Sequence, residues 1–209
     1  MKHSACAFAA AVDHLIEDLK NAEFHRKTGR SKKLREELFP LSRLALFLKM
    51  PGIEVEVEGF EDSGRADGHI GITGFRQQEF EIQITHAGYE GEDALRDELL
   101  VSQGIVPGAG DIQRDKKSRI ILATMAAVDR DEHIGRAAAA VMKQFRKKAL
   151  KPYAQGTVLL ITFEEIKLCG RSAWNSLFSA IAKAGGMTGS QFSEIYLFNG
   201  ATNEIQIAT

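Results

Sequence analysis

The segment Glu79-Phe-Glu-Ile-Gln-Ile-Thr85 alternates polar and apolar residues, and in a β-strand residues two apart share a face. Phe80, Ile82 and Ile84 are therefore expected to point into a core, with Glu79, Glu81, Gln83 and Thr85 pointing away from it. A second strand is read from about Asp67 to Thr73, and Gly74 opens the short stretch that turns the chain between them. A turn centred near Phe75 sets Asp67 opposite Gln83 and diagonal to Glu81, close enough for side chains to meet. Two carboxylates and an amide then share one surface. Such oxygen donors suit Mg²⁺, which takes one or two carboxylates and keeps several waters, and Mn²⁺ can substitute for it. A metal held this way polarises a phosphoryl oxygen, acidifies an attacking water and stabilises the leaving oxygen. Phosphodiester hydrolysis is the expected chemistry, with Asp67 and Glu81 as metal ligands and Gln83 orienting the water.

The elements that must position these residues follow from hydrophobic period. A helical stripe of Phe8, Val12, Leu15, Ile16 and Leu19 predicts a helix over about Ala5 to Ala22. A basic stretch from His25 to Arg35 leads into a second helix, about Ser31 to Lys49, which Pro40 should kink or split. From Ile53 the period changes to two, with Ile53, Val55 and Val57 alternating with Glu54, Glu56 and Glu58. This strand and the two above read as an antiparallel meander. A helix from about Tyr89 to Gln103 ends at Gly104, and Gly104 to Ser118, with Pro107, Gly108 and Gly110, reads as a long flexible loop. Ile120 to Val128 is apolar but of ambiguous type, whereas Glu132 to Leu150 is a helix that ends before Pro152. Thr157 to Phe163 is apolar on both faces and reads as a central buried strand. A helix over about Ser172 to Ala184, with Trp174 in the core, precedes two strands, Ser193 to Phe198 and Glu204 to Ala208. The fold class expected is α/β: a mixed sheet with a three-stranded antiparallel meander and a strand-helix-strand unit, helices on both faces. We expect a single domain over residues 1–209, with 1–30 as a helical extension and 31–209 as the core.

At these residues the chain resembles the PD-(D/E)XK, or restriction endonuclease-like, nuclease superfamily. Ala66-Asp67 stands for the "PD" without its proline, Glu81-Ile82-Gln83 stands for "(D/E)XK", and the resemblance in element order spans about Ser31 to Phe198. Some restriction endonucleases of this superfamily carry E-X-Q and cleave DNA. Gln83 nevertheless removes a positive charge that could orient the water or stabilise the phosphorane. The resemblance implies a Mg²⁺-dependent endonuclease acting on nucleic acid, DNA in preference to RNA. It also implies an accessory glutamate from the first core helix. At about 100° per residue Glu37 falls in the sector of Leu34, Leu38, Leu41 and Leu44, and Glu56 on the first strand is its competitor. The rival reading is a non-catalytic nuclease-like domain that binds nucleic acid or a protein partner.

His69 shares the face of Asp67 by alternation, as a general base or phosphate contact, or simply a solvated histidine. Arg114, Lys116, Lys117 and Arg119, with Lys143, Arg146 and Lys147 on the long helix, are the cations expected to meet a phosphate backbone. Such local patches must carry any attraction, because 27 Lys and Arg against 28 Asp and Glu leave a net charge of −1. Cys6 and Cys169 fit neither a CxxC nor a zinc spacing, which favours a reducing, cytoplasmic setting. No apolar run approaches the roughly 20 residues of a membrane span, so no membrane partner is expected, and a homodimer is left open. Since both hairpin carboxylates face away from the apolar layer, alanine at either is expected to leave folding intact. Gln83→Lys is expected to preserve or increase the rate of a true nuclease.

Overall fold

The computed structural model describes residues 2–19, 29–60, 66–89, 91–104, 112–124 and 128–208. In chain order these form β1 (His3–Ser4), α1 (Ala5–Glu17), α2 (Gly29–Lys33), a π-helical turn (Leu34–Leu38), α3 (Phe39–Leu48), β2 (Ile53–Gly59), β3 (Gly68–Gly74) and β4 (Gln78–His86). Then follow α4 (Glu92–Gln103), β5 (Ile112–Arg114), β6 (Ile121–Ala123), α5 (Arg130–Ala149), β7 (Val158–Phe163), α6 (Gly170–Lys183), β8 (Glu194–Asn199) and β9 (Glu204–Ile207). Seven strands make one mixed sheet in the order β1-β2-β3-β4-β7-β8-β9. The first four pair antiparallel, β4, β7 and β8 run parallel, and β9 returns antiparallel to β8. The mixed α/β sheet expected from the sequence is thus present, meander included, with β7 in its interior between β4 and β8.

Alternation along the strands separates two apolar layers. Val55, Val57, Ile70, Phe80, Ile82, Ile84, Val158 and Leu160 pack with Phe8 and Val12 of α1 and with Leu41 and Leu44 of α3. Leu159, Ile161, Phe163, Ile195 and Leu197 project to the other face, against Val141 and Phe145 of α5 and Trp174 and Leu177 of α6. All six residues of β7 are buried, as a strand covered on both faces requires. The N-terminal residues belong to this assembly: β1 pairs with the edge of β2, and α1 fills the first layer. Among the described residues no helix is long and apolar enough to cross a membrane.

Pro40 acts as expected, but through a widened turn. The N–H of Phe39 donates to the carbonyl of Leu34, five residues back, instead of four. Proline lacks an N–H and its ring presses on the carbonyl four residues earlier, so a π turn absorbs the strain and the helix resumes with Pro40 in its first turn. Glu36 and Glu37 lie in that turn.

The loop expected over Gly104 to Ser118 is corrected in part. Gly104 stops α4 in the left-handed conformation, φ 73°, but β5 and β6 then pair as an antiparallel hairpin. Asp115 explains the turn: one carboxylate oxygen accepts from the N–H of Lys117 (3.0 Å), the N–H of Ser118 (2.6 Å) and the hydroxyl of Ser118 (2.8 Å). An Asx-type turn of this kind brings two short strands together despite their composition. Pro107, Gly108, Gly110 and the basic residues His25, Arg26 and Lys27 lie outside the described residues.

Candidate functional site

The β3–β4 ladder pairs Ile72 with Gln78 and Gly68 with Ile82, the register of a turn centred on Phe75. Continued by one residue, it sets Asp67 against Gln83, while Glu81 lies directly opposite His69. Asp67 stands just before β3 begins, where β4 runs on past its antiparallel partner with β7 on its other side. The N–H of Ile84, which would otherwise lack a partner there, donates to Oδ2 of Asp67 at 2.6 Å, and the N–H of Asp67 donates to the carbonyl of Ile82 at 2.9 Å. The carboxylate therefore replaces a ladder carbonyl, because an edge N–H turned inward must find an acceptor. Asp67 thus carries a backbone contact that the expectation of a folding-neutral alanine did not include.

Gln83 and Glu81 project to the α5 face. Gln83 is 5% exposed, and its Oε1 accepts from Nζ of Lys148, 3.1 Å away. The neighbouring Thr85 hydroxyl donates to Oε1 of Gln144, one helical turn earlier on α5, at 3.3 Å. Burial lowers the pKa of the Lys148 ammonium, and the charges of Asp67 and Glu37 act against that shift. Glu37 is raised, first by burial and then by the charge of Asp67, while Lys33, 3.4 Å away, offsets part of the effect. Tyr153 is also raised, by burial and then by Asp67, and its ring lies 5.9 Å from the Lys148 ammonium.

The structure thus brings Glu37, Asp67, Gln83 and Lys148 into one electrostatic group, with Glu81 on the same face of β4. It does not bring Glu56 there. That residue is exposed and pairs with Gly71, which in turn pairs with Glu79, four positions along β3 from Asp67. His69 is half-buried and inclines to Glu79, with Nε2 3.9 Å from the carboxylate. Lys116, Lys117 and Arg119 are exposed at the hairpin turn, whereas Arg114 is tied to Glu98 of α4 and to the carbonyl of Arg119. Lys143 and Lys147 are exposed on α5, and Arg146 donates to the carbonyl of Ala184 at the end of α6.

Neither Lys148 nor Tyr153 is among the candidate residues read from the sequence. A signal for Lys148 existed, since it falls on the buried stripe of α5, three residues after Phe145 and seven after Val141. A lysine on an apolar stripe needs a polar partner at its tip.

Asp67, just before β3, and Glu81 on β4 carry carboxylates at diagonal positions of the extended ladder, and Glu37 is raised first by burial and then by the charge of Asp67. Among the described residues, no three His, Cys, Asp or Glu side chains gather closely enough to hold a metal ion. Comparison of the chain with protein-family models, with curated proteins and with solved structures returned no match.

Proposed function

We propose that this protein is a Mg²⁺-dependent endonuclease of the PD-(D/E)XK type that hydrolyses phosphodiester bonds, in DNA in preference to RNA. The observation that carries the reading is the Lys148 ammonium, 3.1 Å from Gln83 at the position where the motif calls for a lysine, beside Asp67 and Glu37. The charge missing from the strand is supplied by the helix. When bound, Mg²⁺ would polarise the scissile phosphate and acidify the attacking water. Asp67 and Glu81 would hold the cation, with Glu37 as a third carboxylate. Gln83 orients Lys148, and the ammonium stabilises negative charge that develops on the phosphoryl oxygens. Lys116, Lys117 and Arg119 on the hairpin, with Lys143 and Lys147 on α5, would meet the backbone of the nucleic acid.

Plasmid nicking in Mg²⁺ or Mn²⁺ tests this, with Asp67→Asn and Lys148→Met as controls. Cleavage that both variants lose supports it; a wild-type protein that cleaves neither DNA nor RNA with either metal sinks it. The second reading, a nuclease-like domain that binds nucleic acid or a protein without cleaving, is favoured by one fact: Lys148 and Gln83 already satisfy one another. Metal titration followed by nicking separates the two.

A further inference from the structure

The sheet ends on a strand with a free side. β9 is last in the strand order, and β8 is its only ladder partner among the described residues. The N–H of Ala208 donates to the carbonyl of Ile195 at 2.8 Å, and the register pairs Leu197 with Gln206 and Asn199 with Glu204. Residues opposite each other in an antiparallel ladder alternate between hydrogen-bonded and non-hydrogen-bonded pairs. Glu204, Gln206 and Ala208 therefore turn their backbone groups to β8. Those of Ile205 and Ile207 point the other way, to the open edge.

Natural sheets guard such an edge with lysine, proline, a bulge or extreme shortness. β1, at the other end of the sheet, has two residues and follows Lys2. β9 carries no proline and no cation, and its register to β8 runs without a bulge. Its one charge is engaged: Oε2 of Glu204 accepts from Nε1 of Trp174 at 2.8 Å and from the hydroxyl of Thr202 at 3.1 Å. Ile207 is 54% exposed. Its ladder partner Tyr196 packs edge to face with Phe47 of α3, ring centroids 6.1 Å apart, and Phe47 is 43% exposed. An apolar surface thus borders the free backbone groups.

The strand is self-complementary. About a two-fold axis at Gln206, Ile205 of one copy stands opposite Ile207 of the second, and Ile207 opposite Ile205. These are the residues whose N–H and C=O groups point outward, so both pairs are of the hydrogen-bonded kind and four backbone hydrogen bonds close the ladder. The same register sets isoleucine against isoleucine on one face and the uncharged Gln206 against itself on the other, while each Glu204 meets Ala208 and not another carboxylate. No like charges oppose one another.

We propose that β9 pairs with β9 of a second copy of this chain, antiparallel about Gln206, so that two seven-stranded sheets become one continuous sheet. The interface is small, so the dimer is reversible and its population rises with concentration. It does not rest on the nuclease reading.

Sedimentation of the full chain over a range of concentrations is the test, and the wild type should pass from monomer to dimer. Ile207→Pro removes an outward N–H and no bond to β8, whereas Ile207→Lys keeps the N–H and sets a cation against isoleucine. Each should raise the dimer dissociation constant at least about tenfold, with Ile207→Val near the wild type. Cys6 and Cys169 are exposed and free, so both are replaced by serine for the second arm. In that background Gln206→Cys should form a disulfide between copies, because a non-hydrogen-bonded pair lies about 4.5 Å apart at Cα. A chain that stays monomeric into the high-micromolar range overturns the proposal, even where it takes up a foreign strand at this edge. So does a dimer that neither Ile207→Pro nor Ile207→Lys weakens, or one that Gln206→Cys fails to cross-link.

Discussion

Lys148 and Gln83 form a hydrogen bond across the boundary between helix and sheet, Nζ to Oε1 at 3.1 Å. This relationship alters what a substitution at Gln83 would do. A lysine there would set two ammonium groups side by side in a half-buried place, with like-charge repulsion added to desolvation.

Gln83→Lys in the wild-type background is therefore expected to lower stability and reduce any cleavage, contrary to the expectation from the motif alone. The exchange Gln83→Lys with Lys148→Gln returns one cation and one amide, and should recover most of the loss. Lys148→Met alone should reduce nicking by roughly two orders of magnitude, as loss of a preorganised charge-stabilising donor does. Rates and melting temperatures of the four proteins test this, and equal rates in Lys148→Met and wild type would remove Lys148 from the site.

Asp67 supports the edge of β4 through the Ile84 N–H. Asp67→Ala should cost about 1–3 kcal/mol by stranding that donor. Asp67→Asn keeps an acceptor oxygen, so it should stay close to wild-type stability while losing Mg²⁺ affinity. Urea denaturation checks the first statement and calorimetric Mg²⁺ titration the second.

Glu37 is raised by burial and by the charge of Asp67, so the folded chain keeps its proton to higher pH than the unfolded chain. The stability linked to that proton is fully present below the ordinary glutamate range and is lost as the pH rises through the raised value. Glu37→Gln cannot ionise. It should match the wild type in acid and melt higher than the wild type once that value is passed. A divalent cation favours the ionised form, so Mg²⁺ affinity should climb through the same window in the wild type and not in the variant. Thermal melts across the acid and neutral range, with and without Mg²⁺, provide the check; parallel curves for the two proteins would count against it.

The hairpin cations divide into two kinds. Lys116, Lys117 and Arg119 are exposed at the turn, whereas Arg114 is held by Glu98. Replacing the first three with serine should weaken DNA binding and make the salt dependence of log K shallower by about 2 to 3, near one unit for each phosphate no longer neutralised. Arg114→Ser should loosen the hairpin from α4 and raise its protease sensitivity. Binding isotherms at several salt concentrations separate the two effects, and an unchanged slope in the triple variant would exclude the turn from the interface.

The meander, its register and the buried β7 were legible in the sequence because each depends on short-range rules. The period of two assigns faces, and a turn centred on Phe75 fixes the pairing that carries Asp67 to Gln83. The sequence likewise put Glu37 on the inward side of its helix, although the π turn at Leu34–Leu38, and not a regular helix with a kink, is what accommodates Pro40 there. Other features had no local signature. Lys148 lies 65 residues from Gln83, and only the seating of α5 on the second apolar face of the sheet brings the two together. Glu56 was the competitor to Glu37, and the ladder register alone set it beside Gly71, four positions from Asp67. The pairing of β5 with β6 depends on the carboxylate of Asp115, and the contact of His133 with Glu165 on the meeting of α5 with the end of β7. Period and turn chemistry act over a few residues and are written in them. Which helix residue lands over which strand residue is decided by how two apolar layers fill, and that is a property of the whole chain.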